Sequence, residues 1–130
     1  MKTIKQAYFI KSSLSKVWGA LTDPKQIDKW GGGPSKMNDK LDTKFSLWGG
    51  SIWGTNTKVI PEKELVQDWY SDSNNRKWES PSIVTFQLKE NKDGVNLFLL
   101  HDNVPDADEK DINAGWKIYY LGPLKEYLEK

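Results

Sequence analysis

The C-terminal residues constrain the fold more than any other part of the chain. Large apolar side chains recur there every three or four residues, at Ile112, Trp116, Tyr119, Tyr120, Pro123, Leu124 and Tyr127. This spacing predicts one long amphipathic helix whose aromatic face must be buried against another element. Asp106 and Glu109 have the spacing of a capping box at its start. Pro123 predicts a kink, because proline removes one backbone hydrogen bond.

Residues 44–102 supply the surface against which that helix packs. Their apolar residues lie in short segments bounded by turn residues, which predicts antiparallel strands. The predicted strands are Phe45–Trp48, Ile52–Ile60, Leu65–Tyr70, Ser82–Lys89 and Val95–Asp102, with a polar loop at 71–77. Gly49-Gly50-Ser51 predicts a tight hairpin between the first two strands.

Alternation along the last two strands assigns side chains to the two faces of the sheet. One face is expected to carry Val84, Phe86, Leu88, Leu97, Leu99 and His101. Phe98 and Leu100 fall on the opposite face and break a simple alternation of buried and exposed residues. They predict that part of the outer face is also covered.

A further strand and two short helices are predicted before residue 31. The strand spans 3–10, and Ser13 is expected to cap a helix that begins at Leu14. Asp23 and Pro24 are expected to begin a second helix that ends near Lys29. The whole pattern predicts an α+β fold in one domain spanning 1–130.

Composition excludes several classes of protein. The 19 basic and 18 acidic residues give a net charge of +1, without the basic field typical of nucleic-acid or anionic-membrane binding. The absence of cysteine excludes disulfides, thiolate catalysis and Cys-ligated metals. The apolar run at 7–10 is too short for a signal peptide or a membrane span. We therefore expect a soluble cytoplasmic protein, a monomer or weak dimer, with no cofactor and no nucleic-acid or membrane partner.

Several segments resemble the single-domain homologues of the activator of the heat-shock ATPase chaperone. The first is Val17–Pro24, which closes on Trp30, and the second is the hairpin segment Phe45–Gly50. They are continued by Ile52, Gly54, Pro61, Leu65, Val66, Trp69, Leu97–His101, Gly115, Trp116, Leu121, Leu124, Tyr127 and Leu128. The order and spacing of these segments extend the resemblance over nearly the whole chain.

The resemblance implies the START-like helix-grip fold of the SRPBCC superfamily. In this fold a curved antiparallel sheet wraps around a long C-terminal helix, with two short helices near the N-terminus and often an apolar cavity. Two positions depart from the family pattern, because Gly31 and Tyr70 stand where members often carry Trp and Arg. The 130 residues contain no match to the Asn- and Trp-rich N-terminal domain of eukaryotic activators. We therefore expect little or no chaperone activation by this chain alone.

His101 is the only histidine and the first candidate for chemistry. One hypothesis makes it an acid or base at a cavity mouth, and the other a buried structural residue with satisfied hydrogen bonds. The sequence offers it no catalytic partner, so the structural interpretation is favoured. The carboxylates at 106, 108 and 109 are interpreted as a solvated helix cap and not as a metal site.

The seven tryptophans favour a binding function. Trp53 is expected to point to the face of the sheet opposite to that of Gly54. Trp53 and Trp116 are expected to form walls of a cavity of about 300–1,000 Å³ between sheet and helix. The expected lining is Trp53, Trp69, Phe86, Leu97, Leu99, His101, Trp116, Tyr119 and Tyr120, and Asn56 and Gln67 are further polar candidates.

We therefore predict a non-enzymatic protein that binds a small apolar or aromatic molecule in this cavity. One alternative is a chaperone-associated protein-interaction module. The other is an enzyme that uses His101 as acid or base.

Overall fold

A curved antiparallel sheet forms the framework of the protein. The computed structural model describes residues 1–73 and 76–130. The strands are β1 (Lys2–Ile10), β2 (Lys44–Leu47), β3 (Ile52–Ile60), β4 (Glu64–Ser73), β5 (Arg76–Lys77), β6 (Ser82–Asn91) and β7 (Gly94–Val104). Within the described residues, six strands follow the order β1-β7-β6-β4-β3-β2, and β5 pairs with β4. The predicted α+β architecture is confirmed.

Two short helices follow β1, as predicted. They are α1 (Leu14–Thr22) and α2 (Pro24–Trp30). The Ser13 hydroxyl accepts a hydrogen bond from the Lys16 amide, and Asp23 accepts one from the Lys25 amide. Gly31 ends α2 with φ of +111°, a left-handed conformation that favours glycine. This conformation accounts for the glycine at position 31.

The β2–β3 hairpin is also confirmed, with Leu47 paired to Ile52. Its loop contains a 3₁₀ turn, Trp48–Gly50. A Cβ atom at Gly54 in β3 would lie 1.8 Å from the Asp68 carbonyl oxygen of β4. Glycine is therefore required there, because the two strands approach too closely for any side chain.

Strand β4 is longer than predicted. Residues 71–73 belong to it and 76–77 form β5, so the predicted polar loop at 71–77 is wrong at these positions. The extension gains backbone hydrogen bonds, because the Asp72 amide donates to Ser51 and the Trp78 amide donates to Ser71. Residues 74–75 of the predicted loop lie outside the described residues.

The C-terminal helix, residues 109–128, has three parts. They are α3 (Glu109–Gly115), a π-helical turn (Trp116–Leu121) and α4 (Gly122–Leu128), after a 3₁₀ turn at Asp106–Asp108. A Cβ atom at Gly122 would lie 2.0 Å from the Lys117 carbonyl oxygen, so glycine is required beside Pro123. The chain thus carries a wide helical turn directly before Pro123, and a kink at this proline stays a prediction.

The π-helical turn also changes which residues face the sheet. Its wider winding rotates the following residues relative to a regular helix. Leu121 is fully buried although it lies outside the predicted stripe, whereas Tyr119 is 64% exposed. Trp116, Tyr120 and Leu124 are buried as predicted.

The predicted capping box is wrong. No side chain caps the start of α3. The Asp106 carboxylate instead forms an ion pair with the N-terminal amine at 2.7 Å. Asp108 is fully buried and accepts a hydrogen bond from the Trp78 indole N–H at 2.9 Å, so it is not part of a solvated cap.

The concave face of the sheet supplies most of the core. It carries the buried residues Phe45, Leu65, Trp69, Val84, Phe86, Leu88, Leu97, Leu99 and His101, which confirms the predicted faces of β6 and β7. On the convex face Phe98 is 42% exposed and Leu100 is half-buried. The expected cover over that face was therefore wrong at Phe98. No helix in the described part of the chain is long and apolar enough to span a membrane.

Candidate functional site

An aromatic cluster joins the C-terminal helix to the concave face of the sheet. Trp116 is its centre: its ring stacks on Trp69 at a centroid distance of 5.0 Å and lies 4.7 Å from Tyr120. Phe86 contacts both Trp116 and Tyr120 from below. Trp48, from the hairpin loop, lies 5.9 Å from Tyr120. The cluster therefore positions the π-helical turn on β4 and β6 through large apolar contact areas.

His101 holds the centre of this cluster through both ring nitrogens. The Trp116 indole N–H donates to His101 Nδ1 at 3.0 Å, so Nδ1 is an acceptor. The proton therefore lies on Nε2, which is 2.7 Å from Ser82 Oγ. Ser82 in turn donates to the Trp69 carbonyl at 2.8 Å. This chain of hydrogen bonds ties the helix, β7, β6 and β4 together.

Burial keeps the His101 ring neutral. The residue is fully buried, and this burial lowers the pKa of its imidazole from 6.5 to about 3. A protonated ring would also lose the acceptor at Nδ1 that the Trp116 N–H needs. The arrangement is that of a structural histidine with satisfied hydrogen bonds, and it gives no support to the acid–base hypothesis.

A cleft of about 350 Å³ lies between the helix and the hairpin end of the sheet. Its lining is mainly aromatic and aliphatic, with Trp116 and Tyr120 on the helix side and Trp69 on the sheet side. The remaining lining residues are Trp48, Ser51, Ile52, Asp111, Ile112, Gly115 and Tyr119. Such a concave, mostly apolar surface with few polar groups is typical of a small-molecule site.

Two lining residues carry buried polar atoms that no described residue satisfies. They are Trp69 Nε1 and Tyr120 Oη. Trp69 is 3% exposed and Tyr120 is 2% exposed. Burial also raises the pKa of the Tyr120 hydroxyl, so it remains protonated at neutral pH. A buried polar group without a partner costs about 1–3 kcal/mol, so both atoms require an explanation.

The structure brings together only part of the predicted lining. Four of the nine predicted residues line the cleft: Trp69, Trp116, Tyr119 and Tyr120. Trp53 lies on the convex face, where it stacks on Tyr70 at 5.6 Å. Phe86, Leu97, Leu99 and His101 are buried in the core and do not line the cleft.

Sequence reasoning missed the hairpin and α3 contributions to the cleft. Trp48 and Ile52 flank the hairpin turn, and Asp111, Ile112 and Gly115 lie on α3. Ile112 was part of the predicted helical stripe, and Trp48 directly precedes the predicted turn. These two signals were present in the sequence, but no sequence pattern indicated that the hairpin and the helix would contact each other.

The other predicted polar candidates lie away from the cleft. Gln67 and Asn56 are both fully buried, and Gln67 Nε2 donates to Asn56 Oδ1 at 3.0 Å. Asn56 Nδ2 donates to the Asn38 carbonyl at 2.9 Å, which fixes the segment before β2 against the sheet. Among the described residues, no group of three or more His, Cys, Asp or Glu side chains is arranged to hold a metal ion.

Comparison with known families assigns the chain. The family model described as "Activator of Hsp90 ATPase homolog 1-like protein" matches residues 11–129. This chain belongs to that family. It is an Aha1-like, START-like protein of the SRPBCC type, and the helix-grip fold is confirmed. Family membership supports a chaperone-associated or ligand-binding kind of role.

Curated relatives of this Aha1-like chain are longer proteins. The activator of 90 kDa heat shock protein ATPase homolog from Dictyostelium discoideum is 33% identical over 82 residues, covering 63% of this chain and 21% of the relative. Homolog 1 from Homo sapiens is 23% identical over 126 residues, covering 95% of this chain and 36% of the relative. The chain thus spans between about a fifth and about a third of the length of these relatives.

Solved structures show the same fold. An Hsp90 activator from Plasmodium falciparum has a TM-score of 0.86 at 22% identity, covering 98% of this chain and 96% of the other. The Aha1 dimer from Colwellia psychrerythraea has a TM-score of 0.81 at 24% identity, covering 99% and 97% of the two chains. At these identities the likeness shows the fold alone.

Proposed function

We propose that this chain binds a small apolar or aromatic molecule in the cleft beside Trp116, without catalysing a reaction on it. The observation that carries the proposal is the coincidence of an open, largely aromatic cleft with unsatisfied polar atoms on Trp69 and Tyr120. Aromatic walls supply dispersion contacts and hydrophobic burial, and a few polar groups orient the bound molecule. A volume of about 350 Å³ suits a small ligand and not a long lipid chain.

The hydrogen bonds of His101 support binding over catalysis. Both ring nitrogens are engaged, by Trp116 and Ser82, and the residue lies beneath the cleft and not in its lining. A general acid or base must exchange a proton with its substrate through a free or exchangeable position. His101 therefore supports the cleft by holding Trp116 in place.

Filling the cleft provides a direct test. Gly115 lines the cleft, and a Cβ atom there makes only an ordinary 3.8 Å contact with Tyr119. Gly115→Leu is expected to keep the fold, because leucine is a good helix former, and to occupy the space of the ligand. Gly19→Leu is the matched control, since Gly19 lies in α1 away from the cleft and has nothing within 4 Å of its Cβ position.

The measurement is a titration of the three proteins with a panel of small aromatic molecules, followed by calorimetry. Wild type and Gly19→Leu should bind with micromolar affinity, and Gly115→Leu should bind at least about tenfold more weakly. Native mass spectrometry of freshly purified wild type would show any retained molecule directly. Equal binding by the two glycine variants would contradict the proposal.

A chaperone-associated role is the second candidate. Ile118 and Tyr119 are 58% and 64% exposed beside the cleft, so they offer apolar contacts to a partner protein. Relatives named as activators of the 90 kDa heat-shock ATPase point to the chaperone as that partner. Because the chain spans so little of those relatives, we expect weak or no stimulation of ATP turnover. A several-fold stimulation at micromolar protein would place this candidate first.

A further inference from the structure

The unsatisfied polar atoms of the cleft residues indicate which hydrogen-bonding groups a ligand carries, in addition to its apolar surface. Trp69 Nε1 is a donor only, and the Tyr120 hydroxyl can donate or accept. The other described side chains with buried unsatisfied atoms, Trp18 and Gln67, do not line the cleft. The two cleft donors are therefore candidates for contacts with a ligand, because the other indole N–H groups of the cleft, on Trp48 and Trp116, donate to the Gly31 carbonyl and to His101 Nδ1.

The two aromatic rings that carry these donors lie beside the same ring, that of Trp116. Trp69 stacks on Trp116 at 5.0 Å with an interplanar angle of 19°, and Tyr120 lies 4.7 Å from Trp116. Trp116 itself has no spare donor, because its N–H is bonded to His101. The relay from His101 through Ser82 to the Trp69 carbonyl fixes the backbone on which the Trp69 donor is carried. The backbone that carries the Trp69 donor is consequently held in place before any ligand arrives.

The charge of the cleft selects against an anion. Among the described lining residues, Asp111 is the one with a formal charge, and it is negative. A carboxylate or phenolate ligand would meet this carboxylate without a cation to neutralise it. Burial raises the pKa of Tyr120, so its hydroxyl donates without adding a negative charge. The hydrogen-bond acceptor of the ligand is therefore expected to be uncharged.

We propose that the cleft selects neutral aromatic molecules that carry a carbonyl oxygen, with Trp69 Nε1 and Tyr120 Oη as the specificity-determining donors. This inference rests on the proposed binding function. A carbonyl oxygen has two lone pairs and can accept from one or both donors. The flat rings of the ligand then lie against the remaining aromatic wall.

The cleft is open, but contact between a ligand and the two donors requires movement of the side chains around these donors. Both donor atoms are buried beneath the surface of the unliganded cleft. Tyr119 lines the cleft and is 64% exposed, so its side chain can rotate outward on a fast timescale. The π-helical turn that carries Tyr119 and Tyr120 is a helical irregularity frequently found at functional sites.

Three probes with one ring system test the inference. Acetylnaphthalene, ethylnaphthalene and naphthoate, substituted at the same ring position, present a neutral acceptor, no acceptor and an anionic acceptor. Wild-type protein should bind the ketone about tenfold more tightly than the hydrocarbon, because the ketone satisfies buried donors that the hydrocarbon leaves unpaired. Naphthoate should bind more weakly than the ketone. Calorimetry and ligand-observed NMR measure all three affinities.

Variants assign the preference to the two donors. Trp69→Phe and Tyr120→Phe each remove one donor and keep an aromatic ring, so each should reduce the ratio of ketone to hydrocarbon affinity several-fold. Trp53→Phe removes an indole from the convex face and should keep the wild-type ratio. Near-ultraviolet circular dichroism and the melting temperature check that each variant is folded. If one donor variant fails to fold, the other still tests the inference.

The outcomes separate this inference from the proposed function. Equal affinity for ketone and hydrocarbon, or tighter binding of naphthoate, would overturn the carbonyl preference while binding in the cleft stands. A ketone preference that survives in both donor variants would also overturn the assignment. If none of the three probes binds wild-type protein at millimolar concentration, the binding function itself fails.

Discussion

Two stacked aromatic pairs occupy opposite faces of the same sheet. The inner pair, Trp69 and Trp116, stacks at 5.0 Å beneath the C-terminal helix. The outer pair, Trp53 and Tyr70, stacks at 5.6 Å on the convex face, with Lys77 Nζ 5.8 Å from the Trp53 ring. Trp69 and Tyr70 are neighbours on β4, so successive residues of one strand supply the two pairs.

The surroundings of the pairs differ although their ring geometry is similar. Trp69 and Trp116 are 3% and 2% exposed, whereas Trp53 and Tyr70 are both half-buried. The inner pair is connected to His101 and Ser82 by directed hydrogen bonds and forms one wall of the cleft. Stacking alone thus does not identify a functional aromatic group. Burial, hydrogen bonds and an adjacent cleft distinguish the inner pair.

Truncation of each pair should give the largest difference. Trp116→Ala is expected to lower the free energy of unfolding by about 3–5 kcal/mol, because it leaves a cavity and an unpaired His101 acceptor. Trp53→Ala should cost about 1 kcal/mol, since its ring is already partly solvated on the convex face. Urea denaturation of both variants measures the contrast. A loss below about 1 kcal/mol for Trp116→Ala would mean that the helix does not grip the sheet.

Acidification should reduce the contribution of the inner pair to the free energy of unfolding and leave that of the outer pair unchanged. The His101 pKa is about 3 in the folded protein and 6.5 in the unfolded chain, so the unfolded chain binds the extra proton between these values. The stabilising contribution is complete above pH 6.5 and is lost as the pH falls towards 3. Between pH 6.5 and 4.5 the free energy of unfolding should fall by about 2–3 kcal/mol.

The comparison for this pH effect is His101→Gln. Glutamine retains one donor and one acceptor but does not titrate, so its stability should change much less over the same pH range. Chemical denaturation of both proteins at several pH values provides the measurement. Parallel stability curves for wild type and His101→Gln would show that His101 is not the titrating group.

Removal of Ser82 Oγ should lower the free energy of unfolding by less than Trp116→Ala or the acidification of the wild-type protein does. Ser82→Ala breaks the link from His101 to the Trp69 carbonyl and leaves a buried N–H without its acceptor, at a cost of about 1–2 kcal/mol. Ser46→Ala is the control, because Ser46 pairs with Trp53 in the sheet and is half-buried. Its cost should stay within about 0.5 kcal/mol. Similar losses of stability for Ser82→Ala and Ser46→Ala would show that the hydrogen bonds from His101 through Ser82 to the Trp69 carbonyl do not stabilise the fold.

The smallest effect is expected at the outer pair. Lys77→Ala removes the cation near the Trp53 ring and should cost no more than about 0.5–1 kcal/mol, because this contact is exposed. Lys77→Arg should restore most of the interaction, since a guanidinium also lies favourably over an indole. Thermal unfolding of the two variants distinguishes them from wild type. A loss of 2 kcal/mol or more for Lys77→Ala would mean that the outer pair contributes to stability as strongly as the inner pair.

Local sequence signals predicted most of the secondary structure. Ser13 and Asp23 identified the starts of α1 and α2, because their side chains can satisfy free amides only at such ends. Alternation along β6 and β7 placed Phe86 and His101 on the buried face, because strand periodicity fixes side-chain direction. The prediction of a capping box was wrong, because Asp106 instead forms an ion pair with the N-terminal amine, which lies far away in sequence.

The candidate site was less predictable than the fold. Trp53 was assigned to the cavity, although strand alternation and its neighbour Gly54 are consistent with either face until the sheet register is known. The register shows Gly54 opposite Trp69 and Trp53 opposite Tyr70, which places Trp53 outside. Trp48 and Asp111 join one cleft only because the hairpin meets α3 in three dimensions.

The sequence by itself determined most of the strands, the short helices and the aromatic character of the C-terminal helix, since periodicity and capping act over only a few residues. Tertiary structure decided which aromatic side chains remain accessible. Packing buried Phe86, Leu97 and Leu99, while the π-helical turn left Tyr119 exposed and turned Tyr120 inward. The donors of Trp69 and Tyr120 remain unsatisfied for the same reason: hydrogen-bond partners are set by contacts between distant segments, which no local pattern encodes.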